Sequence, residues 1–390
     1  MGKDKDKGKD NVLEMSMVKK AKPLSKVERM ELREKLYDWK DLIDRGKLED
    51  ATAMLPELSR CKGKWEERPL DLLYHLFLVR YHRAKGDTEA FEIVMEYLER
   101  HMREFDDEHT HYYYRTIGIV DLFARRYKDA MKAFNKAEEA DGFREWVDNA
   151  FYYVVGRCLS DMGYSRRAIE YLKKALELLE GVRNRIYEVH IQRLLAYEYS
   201  RVDMHDEALK LVDILQLTEK AKRNLGMKTD GIYIGLAKIN YNLKRYDDAL
   251  GNIEAAFEET TQGTERFIDC MYHKALVQIA CDRVDKGVSC IDEALNMIPE
   301  DSNWSAVWST LLNALKYSVM LGNPKSLEYM RDIALPGLME HGQYAEAIDY
   351  CNSLSAFCSN AEDTVNALLF KRMETDIYKN YLSDRVGEGV

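Results

Sequence analysis

Nine residues carry the chemistry this sequence offers most readily: Arg115, Tyr153, Arg157, Arg193, Tyr197, Lys238, Tyr241, Asp269 and Tyr272. They are cations, tyrosines and one carboxylate, recurring at intervals of about forty residues along the chain. Arg and Lys hold carboxylates through charge-assisted hydrogen bonds, and tyrosine rings supply flat apolar contact. That mixture suits the gripping of an extended peptide.

Signs of catalysis or metal binding are weaker. His109 and His111, with His101 upstream, come nearest to a ligand cluster. Two histidines at i, i+2 diverge on a helix and find no third partner at ligand spacing, so they are expected as exposed turn residues. Glu66-Glu67 and Asp106-Asp107-Glu108 pair carboxylates as acid–base chemistry requires. Both fall in the most polar stretches and are expected as solvated loop charges. The phosphate-loop, zinc-protease, nucleophile-elbow and dinucleotide fingerprints are absent from the sequence. No metal and no cofactor is expected.

A repeat sets the elements that must position the nine residues. Tyr127-x-x-Ala130-x-x-x-Phe134-x-x-Ala137 returns as Ala168/Leu172/Ala175, Ala208/Val212/Leu215, Ala249/Ile253/Ala256 and Gly287/Ile291/Ala294. Successive anchors are 38, 40, 41 and 38 residues apart, the period of a helical solenoid. A small residue stands twelve positions before each anchor: Gly118, Gly156, Ala196, Ala237 and Ala275. Only small side chains let two helix backbones cross closely there, and the two offsets together are the tetratricopeptide pattern. In that pattern positions 2, 5, 9 and 12 of the first helix face the concave side. Counting back from the anchors is what singles out the nine groove residues, with Ser160, Gly231, Ile234 and Leu276 among their neighbours.

Before His109 the pattern fails. Ser25 reads as an N-cap with Glu28 completing a capping box. A stripe at Met30, Leu32, Leu36, Trp39, Leu42 and Ile43 follows, ended by Gly46. The expected fold is all-α: a polar disordered tail over 1–25, an N-terminal helical bundle over 26–105 and a tetratricopeptide-repeat superhelix over 109–383. Trp39, Trp65 and Tyr74 are expected to give the bundle a partner-binding surface.

Net charge is −10, which disfavours direct nucleic-acid binding, since that needs a basic face. No apolar run is long enough to span a membrane, and the charged N-terminus lacks the apolar segment of a secretory signal. The seven cysteines form no C-x-x-C and read as reduced core residues of a cytoplasmic protein.

Leu36-Tyr37-Asp38-Trp39, Ile43, Gly46-Lys47-Leu48-Glu49-Asp50-Ala51, Leu72-Leu73-Tyr74 and Arg80-Tyr81-His82 resemble the first helices of the Rap family. The resemblance runs from about residue 30 to 385 in the order of elements. Rap proteins are cytosolic aspartyl-phosphate phosphatases and regulators of Gram-positive bacteria. The resemblance implies a short imported signalling oligopeptide in the repeats and a response regulator or other protein target for the bundle. Phosphatase members carry a Gln just before the Leu-Leu-Tyr motif, to position water. Here that place holds Pro69, and the first Gln of the chain is Gln192. Regulation by binding is therefore expected over hydrolysis. A phosphatase using another residue, a plain scaffold, and a homodimer remain open at this point.

Overall fold

The computed structural model describes residues 25–61, 68–179, 185–224, 229–302 and 304–382. Among these, all regular structure is helical, and no helix is long and apolar enough to cross a membrane. The tail up to residue 24, Trp65, Glu66-Glu67 and the C-terminal residues past 382 lie outside the described residues. The chain divides into two compact units. One runs to Thr116 and includes Lys136–Trp146; the other comprises Ile117–Asn135 and the chain from Val147 onward.

The first unit is built from α1 (Lys26–Asp44), α2 (Leu48–Cys61), α3 (Arg68–Lys85), α4 (Thr88–Arg100) and the start of α5 (Asp107–Phe123). The capping box forms as the sequence predicts. Ser25 Oγ accepts from the Glu28 amide at 3.3 Å, and Glu28 Oε2 accepts from the Ser25 amide at 2.7 Å. After the helix, Gly46 takes φ 69°, which a side chain would make costly. Helix α3 is buried at every position from Leu72 to Tyr81 and forms the centre of this unit. Against it pack Leu32, Leu36, Trp39 and Ile43 of α1.

Three sequence expectations change in this unit. Trp39 is 0% exposed; its Nε1 donates to Ala51 O at 2.9 Å and its ring stacks on Tyr74, itself 3% exposed. Both aromatics are interior packing and offer no surface to a partner. Arg115 is likewise fully buried here, not in the groove. Its guanidinium lies 4.0 Å from Asp44, which also pairs with Lys40 at 2.9 Å and with Arg80. The reason is that α5 begins inside this unit, so its first turns face α1 and α3. For the same reason His109, His111 and Glu108 are buried helix residues, not exposed turn groups. His109 Nε2 bonds Pro69 O at 2.8 Å, His111 Nδ1 bonds Ala137 O at 3.0 Å, and Glu108 accepts from Arg33 at 2.6 Å and from Tyr37.

The second unit continues from α5 through α6 (Tyr127–Glu138), with the short α7 (Phe143–Trp146) counted in the first. Four helix pairs follow: α8 (Asn149–Asp161) with α9 (Ser165–Glu177), α10 (Arg185–Arg201) with α11 (His205–Asn224), α12 (Asp230–Asn242) with α13 (Tyr246–Glu259), and α14 (Glu265–Ala280) with α15 (Val284–Met297). The close crossings occur where small residues stand. A Cβ on Gly156 would lie 2.9 Å from Leu172 Cγ, and one on Gly118 would lie 2.5 Å from Phe134 Cε1. Between neighbouring repeats lie shared apolar layers, such as Val189, Ala196, Val212, Leu215, Ile232, Leu236 and Ile239. Each turn within a pair places one residue in the left-handed region, for example Arg125, Asp203, Lys244 and Asp282 with φ 58–60°. The following amide then bonds five residues back, as Arg245 N does to Asn240 O at 2.8 Å, satisfying an end carbonyl of the first helix. Cys158, Cys270, Cys351 and Cys358 are buried free thiols.

Beyond Pro299 come α16 (Ser305–Ser318) and a helix made of α17 (Pro324–Tyr329), a π turn (Met330–Ala334) and α18 (Leu335–Glu340). Then follow α19 (Tyr344–Asn360), α20 (Thr364–Ile377) and a final π turn (Tyr378–Leu382). The closing pair starts at residue 344. Tyr344-x-x-Ala347-x-x-x-Cys351 opens a helix, as Tyr127 does in α6, with Ala347 and Cys351 buried.

Candidate functional site

The first helices of the pairs carry the predicted residues one turn apart. Tyr153 and Arg157 share a face of α8, Arg193 and Tyr197 a face of α10, Lys238 and Tyr241 a face of α12, and Asp269 and Tyr272 a face of α14. All eight line a groove in the second unit, made of cavities of 580, 470 and 370 Å³ that share Tyr197 and Glu346. Arg115 is the one groove candidate that is absent from it.

Chemistry changes along the groove. The 580 Å³ cavity is lined by Tyr153 and by four cations, Arg157, Arg193, Lys238 and Arg266, interleaved with four acids, Asp161, Glu265, Asp269 and Glu346. The 470 Å³ cavity is walled by Tyr241, Tyr272, Tyr350, Trp308, Leu311 and Leu315, and there Tyr272 and Trp308 meet edge to face at 5.9 Å. The two ends therefore differ: charged side chains of both signs crowd one, and aromatic and aliphatic side chains wall the other.

Between the ends lies an ionic knot. Lys238 Nζ stands 3.3 Å from Asp269 Oδ1, and His273 Nε2 stands 3.1 Å from the same oxygen. Burial alone would raise the Asp269 carboxyl; Lys238 and His273 together outweigh it and hold the carboxyl well below its usual range. Asp161 goes the other way. Burial pushes it up to about 6, against the pull of Arg157 and Arg125, and nearby Glu346 and Glu198 add to the rise. Burial also raises Glu346 and Asp349. His190 is pushed down to about 4, first by burial and then by Arg193, Lys222 and Arg157.

Several lining residues escape a count of four positions per helix. Asp161, Arg201 and Asn242 lie one further turn along from Arg157, Tyr197 and Lys238. Extending the i, i+4 count by a single step finds them. No such signal points to Glu346, Asp349 and Tyr350 on α19, or to Arg125. They enter the wall because the second unit curls back on itself. The Tyr127 ring meets the Tyr344 ring edge-on at 5.9 Å, and a Cβ on Gly342 would lie 2.6 Å from Arg125 Cβ.

Comparison with known proteins agrees with this architecture. The family described as tetratricopeptide repeat matches residues 150–178, the α8–α9 pair. Transcriptional activator NprA of Geobacillus stearothermophilus is 22% identical over 372 residues, spanning 90% of this chain and 89% of that protein. Among solved structures, a Rap protein complexed with competence and sporulation factor superposes with a TM-score of 0.69 at 19% identity, covering 90% of this chain and 99% of that one. NprR in complex with its cognate peptide NprX gives a TM-score of 0.69 at 18% identity, covering 89% and 99%. This chain has the Rap and NprR fold. Its all-α, tetratricopeptide-repeat class follows from the same likeness. Within this Rap-type framework Pro69 occupies the second position of α3, where it has no amide to lose, and its carbonyl meets His109.

Proposed function

We propose that this chain is a cytoplasmic, peptide-responsive regulatory protein. An oligopeptide occupies the groove of the second unit, and its binding sets whether the N-terminal bundle engages a response regulator or another protein target. The observation that carries this reading is the convergence of eight predicted residues from four successive helix pairs on one groove with an arginine-bearing charged end and an aromatic end. A Rap protein and NprR, whose folds it shares, were both solved with signalling peptides bound.

The output is binding and not hydrolysis. An amide side chain could orient water for attack on an aspartyl phosphate. Pro69 stands in its place, and carboxylates near that segment would repel the phosphoryl group. Titrating the full chain with a library of short synthetic peptides tests the gate: a bound peptide is expected to raise the thermal midpoint with its concentration. Incubation with phosphorylated response regulators tests the output, with an unchanged lifetime of the phosphorylated form expected. A library without a single binder sinks the gate. An accelerated loss of phosphate returns the chain to the phosphatases.

A further inference from the structure

Arg193 differs from the other cations of the 580 Å³ cavity. Arg157 has Asp161 at 3.7 Å, Arg266 has Asp230 at 2.8 Å, and Lys238 has Asp269 at 3.3 Å. Among the described residues, no carboxylate lies within the 4.0 Å ion-pair distance of Arg193; its guanidinium donates from Nη1 to the Gly231 carbonyl at 2.7 Å. Burial lowers its pKa; Tyr153 and Asp269 oppose that shift, and the like charges of Arg157 and Arg266 add to it. Of the acids that share the cavity, Asp161 faces Arg157, Asp269 holds Lys238 and His273, and Glu265 accepts from Trp308 Nε1 at 3.1 Å, while Glu346, on α19, lies beyond ion-pair distance of Arg193.

The helix beneath Arg193 is shaped for it. Gly231 and Gly235 stand one turn apart on the groove face of α12. A Cβ on Gly235 would lie 2.4 Å from Arg193 Cδ and 2.8 Å from its Cγ. A Cβ on Gly231 would lie 3.0 Å from Arg266 Nη1 and 3.8 Å from Arg193 Nη1. The two glycines leave a trough in which the Arg193 stem lies, beside the Arg266 head. A glycine pair inside a helix lowers its propensity, so the trough carries a cost of its own. Arg193 meets the like charges of Arg157 and Arg266 without an acid of its own, and an incoming carboxylate relieves that repulsion through paired N–H donors.

We propose that Arg193, seated in the Gly231/Gly235 trough and flanked by Arg157 and Arg266, is an anion subsite that anchors a carboxylate of the peptide ligand. The subsite rests on the peptide reading above and deepens it. The carboxylate is the ligand's C-terminus or an acidic side chain. The ligand then extends toward the aromatic wall of Tyr272 and Trp308.

The test uses the full chain and one library of short synthetic peptides, prepared with free C-terminal acids and again as C-terminal amides. Binders are resynthesised with each Asp or Glu replaced by its amide. Neutralising the anchoring carboxylate is expected to weaken binding by about tenfold to a hundredfold. If C-terminal amidation does this, the C-terminus is the anchor; if an internal replacement does, the side chain is. Arg193→Met is expected to erase that preference while the free protein stays folded, its thermal midpoint lowered only slightly by the lost hydrogen bond to Gly231 O. Arg193→Lys is expected to keep part of it. Gly235→Ala, which displaces the Arg193 stem, is expected to reduce it while binding through the aromatic end persists. Binders indifferent to every carboxylate overturn the subsite and leave the peptide reading intact, as does an Arg193→Met protein that keeps the preference. A library without binders in either form removes the peptide reading and the subsite together.

Discussion

In the N-terminal unit Asp44 sits between Lys40 and Arg80 with Arg115 at 4.0 Å, and Glu108 is held by Arg33 and Tyr37. In the groove of the second unit, Arg193 has a backbone carbonyl at 2.7 Å and two further guanidinium groups lining the same cavity. Both regions bring arginines out of bulk water, with opposite results. In the bundle each of these cations has a carboxylate of the chain beside it, Asp44 or Glu108, and the pairs tie α1 to α3 and α5. In the groove one cation is left over, and a ligand can match it. Buried charge marks a structural element where it is paired, and a binding element where it is not.

The largest expected effect tests that contrast directly. Asp44→Ala strips the anion from among Lys40, Arg80 and Arg115 and is expected to destabilise the first unit by about 3–5 kcal/mol in urea unfolding. Arg193→Met is expected to cost only about 1 kcal/mol, the loss of one hydrogen bond to Gly231 O with no buried ion pair to break. Equal costs for the two variants would end the distinction. Next in size is Gly156→Ala, behind the groove. The added methyl meets Leu172 Cγ at 2.9 Å, so about 1–3 kcal/mol is expected to be lost by overpacking of α8 on α9. A neutral result there would show that the repeats yield more easily than their packing suggests.

The smallest effect concerns the groove's acids. Asp161 titrates at about 6 in the folded chain, above the ordinary 3.8. The folded state therefore binds this proton more tightly, and stability falls as pH rises from about 4 through 6. Asp161→Asn is expected to match the parent protein near pH 4 and to exceed it by pH 7. The gain is expected to be about 1 kcal/mol, because 35% of the side chain meets solvent and screens the charge. Thermal midpoints of both proteins across that range read the difference. A constant gap between the two curves would assign the raised titration elsewhere.

Much of this was legible because the repeat acts as a ruler. Anchors at fixed spacing predict which face of each first helix is concave, and Tyr153, Arg193, Lys238 and Tyr272 all lie there. The ruler fails at its ends. It counts Arg115 as a groove residue because α5 has the right spacing, yet the first turns of α5 belong to the bundle. It reads Trp39 and Tyr74 as surface aromatics because composition alone does not say which side of a bundle helix is covered. Burial depends on neighbours distant in sequence, such as Ala51 beneath the Trp39 indole.

By itself, the sequence determined the all-α class, the helix start after the Ser25 cap, the close crossings at Gly118 and Gly156, and the facing of the groove residues. Each of these is a local rule of helix capping or of packing between adjacent helices. Only the tertiary structure decided that α19 brings Glu346, Asp349 and Tyr350 into the groove wall, and that Arg193 lies in a trough of two glycines without an acid of its own. Those outcomes depend on small rotations accumulated over successive repeats, and on which acids have already been claimed by other cations. Neither quantity is written in any one repeat.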